Sequence, residues 1–363
     1  MKFKKLLLLI FLVLLVSNCS KKSSNCDISD QNGVIVYSNK TNDNVVSINI
    51  VKEKEFFCDS ISVIASFDVD DQGNFYVLDG KKMVFNKLDG NGKLLKIFGK
   101  RGTGPGEYGA VGDFILIKDK IYVPDMMTKK IVVFSSNGDF LKFIGNIASI
   151  PTGVQVINRN QMIGYCVLPT FKSGGMYIKS SLSILDSNFA EQKVLLSKEI
   201  LLNPQKMFDN DNESPIYTSF KNNVVLATNS ENKYEISVLD TNGKLIKKIL
   251  KSFKKINYTK NEIEQFQKKI DDKLKGQMPA GSIKFSKISK LAISWLGFDK
   301  YNRLWVQSAR EENITKQGAK SMDIFDENGV LLGKADIEID RNIKFGNNKI
   351  YSLDNNKIIV WNY

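Results

Sequence analysis

Apolar and polar positions alternate along most of this chain in short runs, and one recurring phrase breaks the runs. An apolar strand ends in Asp or Ser, Asn-Gly or a close variant follows, and another apolar strand begins. The copies are Leu88-Asp89-Gly90-Asn91-Gly92-Lys93-Leu94-Leu95, Phe134-Ser135-Ser136-Asn137-Gly138-Asp139-Phe140-Leu141, Leu239-Asp240-Thr241-Asn242-Gly243-Lys244-Leu245-Ile246 and Phe325-Asp326-Glu327-Asn328-Gly329-Val330-Leu331-Leu332. A degenerate copy is Leu185-Asp186-Ser187-Asn188-Phe189. Asn-Gly between apolar runs signals a hairpin, because both residues tolerate the positive φ of a tight turn. Five copies, roughly 45–85 residues apart, mark a repeat protein.

A second phrase precedes each turn: a polar turn, then an aromatic-rich strand. It reads Asp70-Asp71-Gln72-Gly73-Asn74-Phe75-Tyr76-Val77-Leu78-Asp79 in the first repeat. It returns as Lys118-Asp119-Lys120-Ile121-Tyr122-Val123-Pro124-Asp125 and Asp299-Lys300-Tyr301-Asn302-Arg303-Leu304-Trp305-Val306-Gln307-Ser308, with weaker copies over 158–163 and 221–226. Each repeat therefore holds four short strands, A to D, with tight A–B and C–D turns. Such an antiparallel unit is a propeller blade. Five blades are expected over 61–99, 109–146, 150–198, 215–251 and 291–336. The tail supplies strands A, B and C of a sixth at Ile343–Phe345, Lys349–Leu353 and Lys357–Trp361. The alternating segment Asn44–Ile50 is expected to complete it, pairing with Lys357–Trp361 and leaving no open edge. The fold class is thus all-β: a six-bladed β-propeller closed by strands from both termini.

The first residues differ in kind. Lys2, Lys4 and Lys5 precede an unbroken apolar run from Leu6 to Val16, too short to span a bilayer comfortably and typical of a secretory leader. Val16-Ser17-Asn18-Cys19 follows and resembles a bacterial lipobox, in which the cysteine becomes the lipidated first residue; Asn18 stands where a smaller residue is usual. The division expected is a leader over 1–18, a lipidated tether over 19–32, and the propeller over 33–363. Among the remaining cysteines, Cys166 sits in an apolar run and reads as a buried thiol, whereas Cys26 and Cys58 have the option of pairing in an oxidising compartment.

The formal net charge is +13, and +10 once the leader's three lysines are removed. A basic balance invites nucleic-acid or anionic-surface readings. Here the lysines are spread through turns and outer strands without interleaved aromatics. The nearest cluster, Lys251, Lys254 and Lys255, reads as a solvated loop. No nucleic-acid partner is expected, and the propeller is expected to be monomeric.

After the first full blade comes Gly99-Lys100-Arg101-Gly102-Thr103-Gly104-Pro105-Gly106-Glu107-Tyr108. It lacks the Lys-Ser/Thr that completes a phosphate-binding loop, and it follows an outer strand rather than opening a helix. Its glycines suit a tight path from the rim of one blade to the inner strand of the next. The loop resembles the Gly-x-x-Gly-x-Gly-Pro-Gly-Glu-aromatic motif of NHL-type six-bladed propellers, carried here by Gly99, Gly102, Gly104, Pro105, Gly106, Glu107 and Tyr108. With the lipobox, the chain resembles the six-bladed β-propeller lipoproteins of bacterial envelopes. That resemblance implies fold and location, outside the inner membrane with Cys19 acyl chains in the bilayer, but no single activity.

The chain contains no histidine. Ser-His-Asp triads and His-ligated zinc are therefore excluded. Propeller lactonases, which hold a divalent cation with carboxylates and Asn in the channel, stay open through Asp68, Asp79 and Asp125. The competing reading gives Asp79 and Asp125 a capping role in loops. Trp295, Tyr301 and Trp305 read as blade core. No cofactor is expected.

Loop lengths are asymmetric. The A–B and C–D turns are short, while the long connections, 99–108, 168–177, 199–214, 252–290 and 309–319, all follow strand B or strand D. Strand parity then places them at one end of the disc, the usual binding end of a repeat array. The largest insertion is expected to carry a helix capped by Thr259 and Glu262, with Ile263, Phe266, Ile270 and Leu274 on one face and Gly276 at its end. That face is expected to pack onto the disc. The leading expectation is a non-enzymatic envelope lipoprotein that binds a protein, peptide or glycan. The alternatives are a metal-dependent hydrolase at the channel mouth and an accessory or sensor subunit of an envelope complex.

Overall fold

A computed structural model describes residues 25–40, 46–57, 60–145, 147–202, 214–311, 319–338, 341–354 and 356–363. Asn18, Cys19 and Cys58 lie outside the described residues.

Six sheets of four antiparallel blade strands follow one another along the chain, as the sequence repeats require. Blade 1 runs from Ile64–Val69 through Phe75–Asp79 and Val84–Leu88 to Leu94–Phe98, and blade 2 from Ile115–Ile117 to Phe140–Ile144. Blade 3 spans Pro151–Val156 to Glu191–Leu201, blade 4 Ile216–Phe220 to Leu245–Lys251, and blade 5 Ile293–Phe298 to Leu331–Glu338. Blade 6 takes Arg341–Gly346, Lys349–Asp354 and Lys357–Asn362 from the C-terminus.

The ring is closed by an N-terminal strand, but not by the expected one. Val51–Phe57 forms the outer strand of blade 6, with Val51 opposite Asn362 and Phe57 opposite Lys357. Among the described residues of the segment proposed from its alternation, Val46–Ser47 forms a strand, which lies parallel to the outer strand of blade 5. Ile48 and Ile50 turn inward against the core cluster of Trp305, Ile359 and Trp361. The reason is one of environment. An outer blade strand is largely solvated, so the charged Val51-Lys52-Glu53-Lys54-Glu55 run suits it, and the more apolar run before it is drawn into the core. A further hairpin, Cys26–Gln31 and Val34–Asn39, extends blade 4 to six strands, its second strand parallel to Leu245–Lys251.

The core lies between blades. Tyr76, Phe85 and Phe98 of blade 1 pack with Phe114, Ile121 and Phe134 of blade 2. The Asn-Gly turns take part in this packing. Their glycines adopt φ of 84° at Gly92, 77° at Gly138 and 76° at Gly243. A Cβ on Gly138 would sit 2.6 Å from the Phe98 ring of the preceding blade, and one on Gly92 2.5 Å from the Phe56 ring of blade 6. Gly329 and Ile249 repeat the contact at 2.6 Å. The glycine thus serves both the turn and the close approach of neighbouring blades. In the degenerate copy Phe189 itself adopts φ 63°, and its buried ring packs 5.5 Å from Tyr122 of blade 2.

The helix forms as its sequence dictates. It spans Lys260–Leu274, Thr259 and Glu262 form the capping box, and Gly276 follows with φ 83°. Its apolar face packs within the insertion itself: Phe266 stacks on Phe285 at 5.0 Å, and Gln267 Nε2 donates to the Ile283 carbonyl at 2.9 Å.

Candidate functional site

Antiparallel pairing in every blade carries the B–C and D–A connections to one end of the disc and the short turns to the other. The described parts of the long segments follow this parity. Residues 168–177 are not a loop, however. Gln161–Lys172 and Gly175–Asp186 pair along their full length to Lys172 opposite Gly175, and Glu191–Leu201 joins them, so blade 3 extends past the disc as a three-stranded flap. At its tip Phe171 is 80% exposed. The stretches 203–213 and 312–318 lie outside the described residues.

The insertion is tied to blade 5. Lys290 Nζ donates to Glu262 Oε1 at 2.5 Å and to the Arg310 carbonyl at 2.9 Å. Beneath it lies a buried ionic cluster that sequence reasoning missed. Asp323 accepts from Lys251 Nζ, from Arg310 Nη2 at 2.8 Å and from the Tyr234 hydroxyl at 3.0 Å. Lys251 is therefore not part of a solvated loop, unlike exposed Lys254 and Lys255. Burial lowers its pKa to about 8 against the pull of Asp323. Burial opposes ionisation of Asp323 too, but Lys251 and Arg310 hold its carboxyl below the usual range. Lys251 follows a run of blade-strand residues with no local mark of burial; only the pairing of blades 4 and 5 brings Asp323 to it.

The glycine-rich loop is closed upon itself. Glu107 Oε2 accepts from the Thr103 and Gly104 amides at 3.0 and 2.9 Å, and Oε1 pairs with Lys100 at 3.0 Å. The Gly104 amide and Lys100 hold its carboxyl below the usual value. A Cβ at Gly102 would lie 2.1 Å from Glu107 Oε2, and one at Gly99 2.7 Å from the Tyr108 hydroxyl. Tyr108 is buried and donates to the Met83 carbonyl at 3.1 Å. Gly106 sits at φ 73°, and Pro105 is exposed at the bend. The motif builds a blade junction and offers no amide cradle to an anion.

The three aspartates separate. Asp125 is buried and accepts from the Gly109, Ala110 and Met127 amides and from the Thr128 hydroxyl at 2.6 Å. Asp79 likewise accepts from the Ser62, Lys81 and Lys82 amides. Both carboxyls titrate below the usual range: burial opposes this, and the donated hydrogen bonds outweigh it. These two fasten loops. Asp68 instead lines the central channel.

That channel is a cavity of about 630 Å³ bounded by the first strands of all six blades. Lys344 Nζ of blade 6 meets Asp68 Oδ2 of blade 1 at 3.3 Å. Ser66 Oγ donates to Asp113 Oδ1 of blade 2 at 2.6 Å, and the Phe114 amide donates to the same oxygen at 2.8 Å. Thr218 Oγ1 donates to Gln155 Oε1 at 2.8 Å. Burial works against the Lys344 charge, but Asp68 and then Asp113 more than offset it, so its pKa lies above the usual lysine value. Trp295, Phe298 and Phe345 add aromatic wall. Trp305 is buried as expected; Tyr301 is not blade core but 57% exposed, because it sits in an A–B turn against Tyr363 and Arg303. Cys166 is buried, which pushes its thiol up to about 11, and Cys26 is buried at the start of the N-terminal hairpin. Among the described residues no three His, Cys, Asp or Glu side chains group as a metal site, and no helix is long and apolar enough to cross a membrane.

Comparison with known proteins accords with this architecture. A family profile described as "6-bladed beta-propeller" (DUF5128) matches residues 21–264. None of the curated proteins matches the chain in sequence. Among solved structures, a Bacteroides fragilis protein named "Putative exported protein" superimposes with a TM-score of 0.50 at 13% identity, over 90% of this chain and 98% of that one. A duf4221 family member from Bacteroides vulgatus gives 0.44 at 12% identity, over 86% and 97%. At 13% identity the likeness to the Bacteroides fragilis protein concerns the fold alone.

Proposed function

The chain belongs to the DUF5128 family of six-bladed β-propellers, and from that premise we propose that it is an envelope lipoprotein whose propeller binds a macromolecular partner through its insertion end. The observation that carries this reading is the asymmetry of the disc. One end carries the blade 3 flap, the glycine-rich junction and the helical insertion; the other carries Asp- and Ser-capped tight turns. Long, varied segments on one end of a rigid repeat array are the common form of a recognition surface. The partner class is a protein, peptide or glycan of the envelope.

The leader and the Val16-Ser17-Asn18-Cys19 sequence support lipid attachment at Cys19. The name of the Bacteroides fragilis protein agrees with an extracytoplasmic location. Anchoring is tested by labelled palmitate and fractionation of Cys19→Ser; a chain that takes up no label, with the variant still membrane-bound, overturns it. Binding is tested by cross-linking in intact envelopes followed by mass spectrometry. Lys268→Glu with Lys284→Glu on the insertion is expected to abolish the cross-linked species, and Lys93→Glu with Lys244→Glu beside the Asn-Gly turns to preserve it. Equal losses at both ends refute the recognition surface and leave the fold intact.

A further inference from the structure

We propose that the central channel is a binding site for a small organic ammonium ion, held by the Asp113 carboxylate against an aromatic wall. This goes beyond the insertion-end reading and depends on neither the anchor nor the partner.

Three charged side chains line the cavity: Asp68, Asp113 and Lys344. Lys344 pairs with Asp68 at 3.3 Å and also lies in the field of Asp113, so two carboxylates share one ammonium. One negative charge is left in excess. The two hydrogen-bond donors of Asp113, Ser66 Oγ and the Phe114 amide, are neutral, and both address Oδ1. They orient the carboxylate without neutralising it, and Asp113 is itself exposed to the cavity. The channel thus carries one uncompensated negative charge inside a chain whose net charge is +13.

Register places the aromatic wall at the same depth. Asp68, Ile115 and Gly297 lie opposite Tyr76, Tyr122 and Trp305, the matching aromatics of three second strands. Two residues earlier in each first strand or its lead-in stand Ser66, Asp113 and Trp295. One layer of the channel therefore holds both the carboxylate and an indole, with Phe345 6.0 Å from Trp295. A carboxylate facing aromatic rings suits an ammonium group, which gains charge attraction and the negative face of the ring together. The volume lies within the range of small-molecule sites, roughly 300–1,000 Å³.

Two other ligand classes fit less well. A divalent cation seeks about six to eight oxygen ligands, and among the described residues no three His, Cys, Asp or Glu side chains group to supply them. An anion would meet the Asp113 charge, with Lys344 already engaged by Asp68.

The test is isothermal titration of the full chain, at fixed ionic strength, with benzyltrimethylammonium, with benzenesulfonate and with calcium. The ammonium is expected to bind one to one, and the sulfonate and calcium to give no saturable heat. Asp113→Asn should weaken the ammonium about tenfold or more, a loss of about 1.4 kcal/mol, with an unchanged melting temperature. Lys344→Met frees the Asp68 charge and should tighten binding several-fold, which a purely steric pocket would not do. No ammonium binding, equal binding of the sulfonate, saturable binding of calcium, or an Asp113→Asn variant of wild-type affinity each overturns the proposal. Should Asp113→Asn melt early, the direction of the Lys344→Met effect decides.

Discussion

Single residues do two kinds of work in this molecule, fastening and charging. Asp125 fastens: its carboxylate satisfies four amides and a hydroxyl where the chain enters blade 2. Asp125→Ala strands those donors and should cost about 3 kcal/mol, read as a lower urea midpoint, without altering ammonium binding in the channel. Lys251 carries a buried charge. Lys251→Met takes the lysine from Asp323 and leaves Arg310 and Tyr234 donating to it, and about 3 kcal/mol of destabilisation is expected at neutral pH. The pH dependence has a definite sign. The folded pKa of about 8 lies below the usual lysine value of 10.5, so between the two the unfolded chain binds more protons and stability rises with pH. From pH 8 to 9.5 the wild type should gain roughly 1–2 kcal/mol from this group that the Met variant lacks. Unfolding midpoints for both proteins at the two pH values measure it, and parallel profiles would show that the lysine does not titrate there.

At the scale of elements, the Asn-Gly turn shows how a local signal acquires a second meaning. As a turn it requires only positive φ, and Asn or Asp would serve. In the ring the glycine also clears Phe98 at position 138 and Phe56 at position 92. Gly138→Ala should therefore cost about 2–3 kcal/mol, more than backbone strain alone, and the double variant with Phe98→Ala should recover part of the steric share. A calorimetric double-mutant cycle with no coupling would refute the inter-blade contact. The helix makes a contrasting case. Thr259→Ala removes the cap and should cost about 1 kcal/mol of helix stability, yet only the insertion depends on that helix. Faster amide exchange confined to residues 260–274, with the melting temperature of the ring unchanged, is the expected outcome.

For the whole molecule, closure is the decisive contact. Val51–Phe57 joins Lys357–Asn362 across nearly the full sequence, so neither blade 6 nor the ring exists without both termini. Removing residues 341–363 exposes the edge of that strand and one face of the blade 1 core, where Tyr351, Leu353, Ile358 and Val360 pack on Phe67 and Phe75. The truncated chain should lose cooperative unfolding altogether rather than one blade's worth of signal. A truncated protein that melts sharply near the wild-type temperature would show that the five blades close without the sixth.

The periodic signals settled much of this in advance. Alternation, Asn-Gly turns and Asp-terminated aromatic strands determined the strands, their pairing within blades, the number of blades and the capped helix, because each follows from contacts a few residues apart. Parity then fixed which connections share an end of the disc. Only the tertiary structure decided which N-terminal strand closes the ring, since that choice compares environments on blades 5 and 6 rather than local patterns. It alone revealed that residues 168–177 continue two strands, that Lys251 is buried against Asp323, and that Tyr301 is exposed. The channel site was equally hidden. Asp68 was legible as a candidate carboxylate, but Asp113 and Lys344 carry no motif of their own. They meet because six first strands, far apart in sequence, converge on one axis, and the charge left over there is a property of the closed ring.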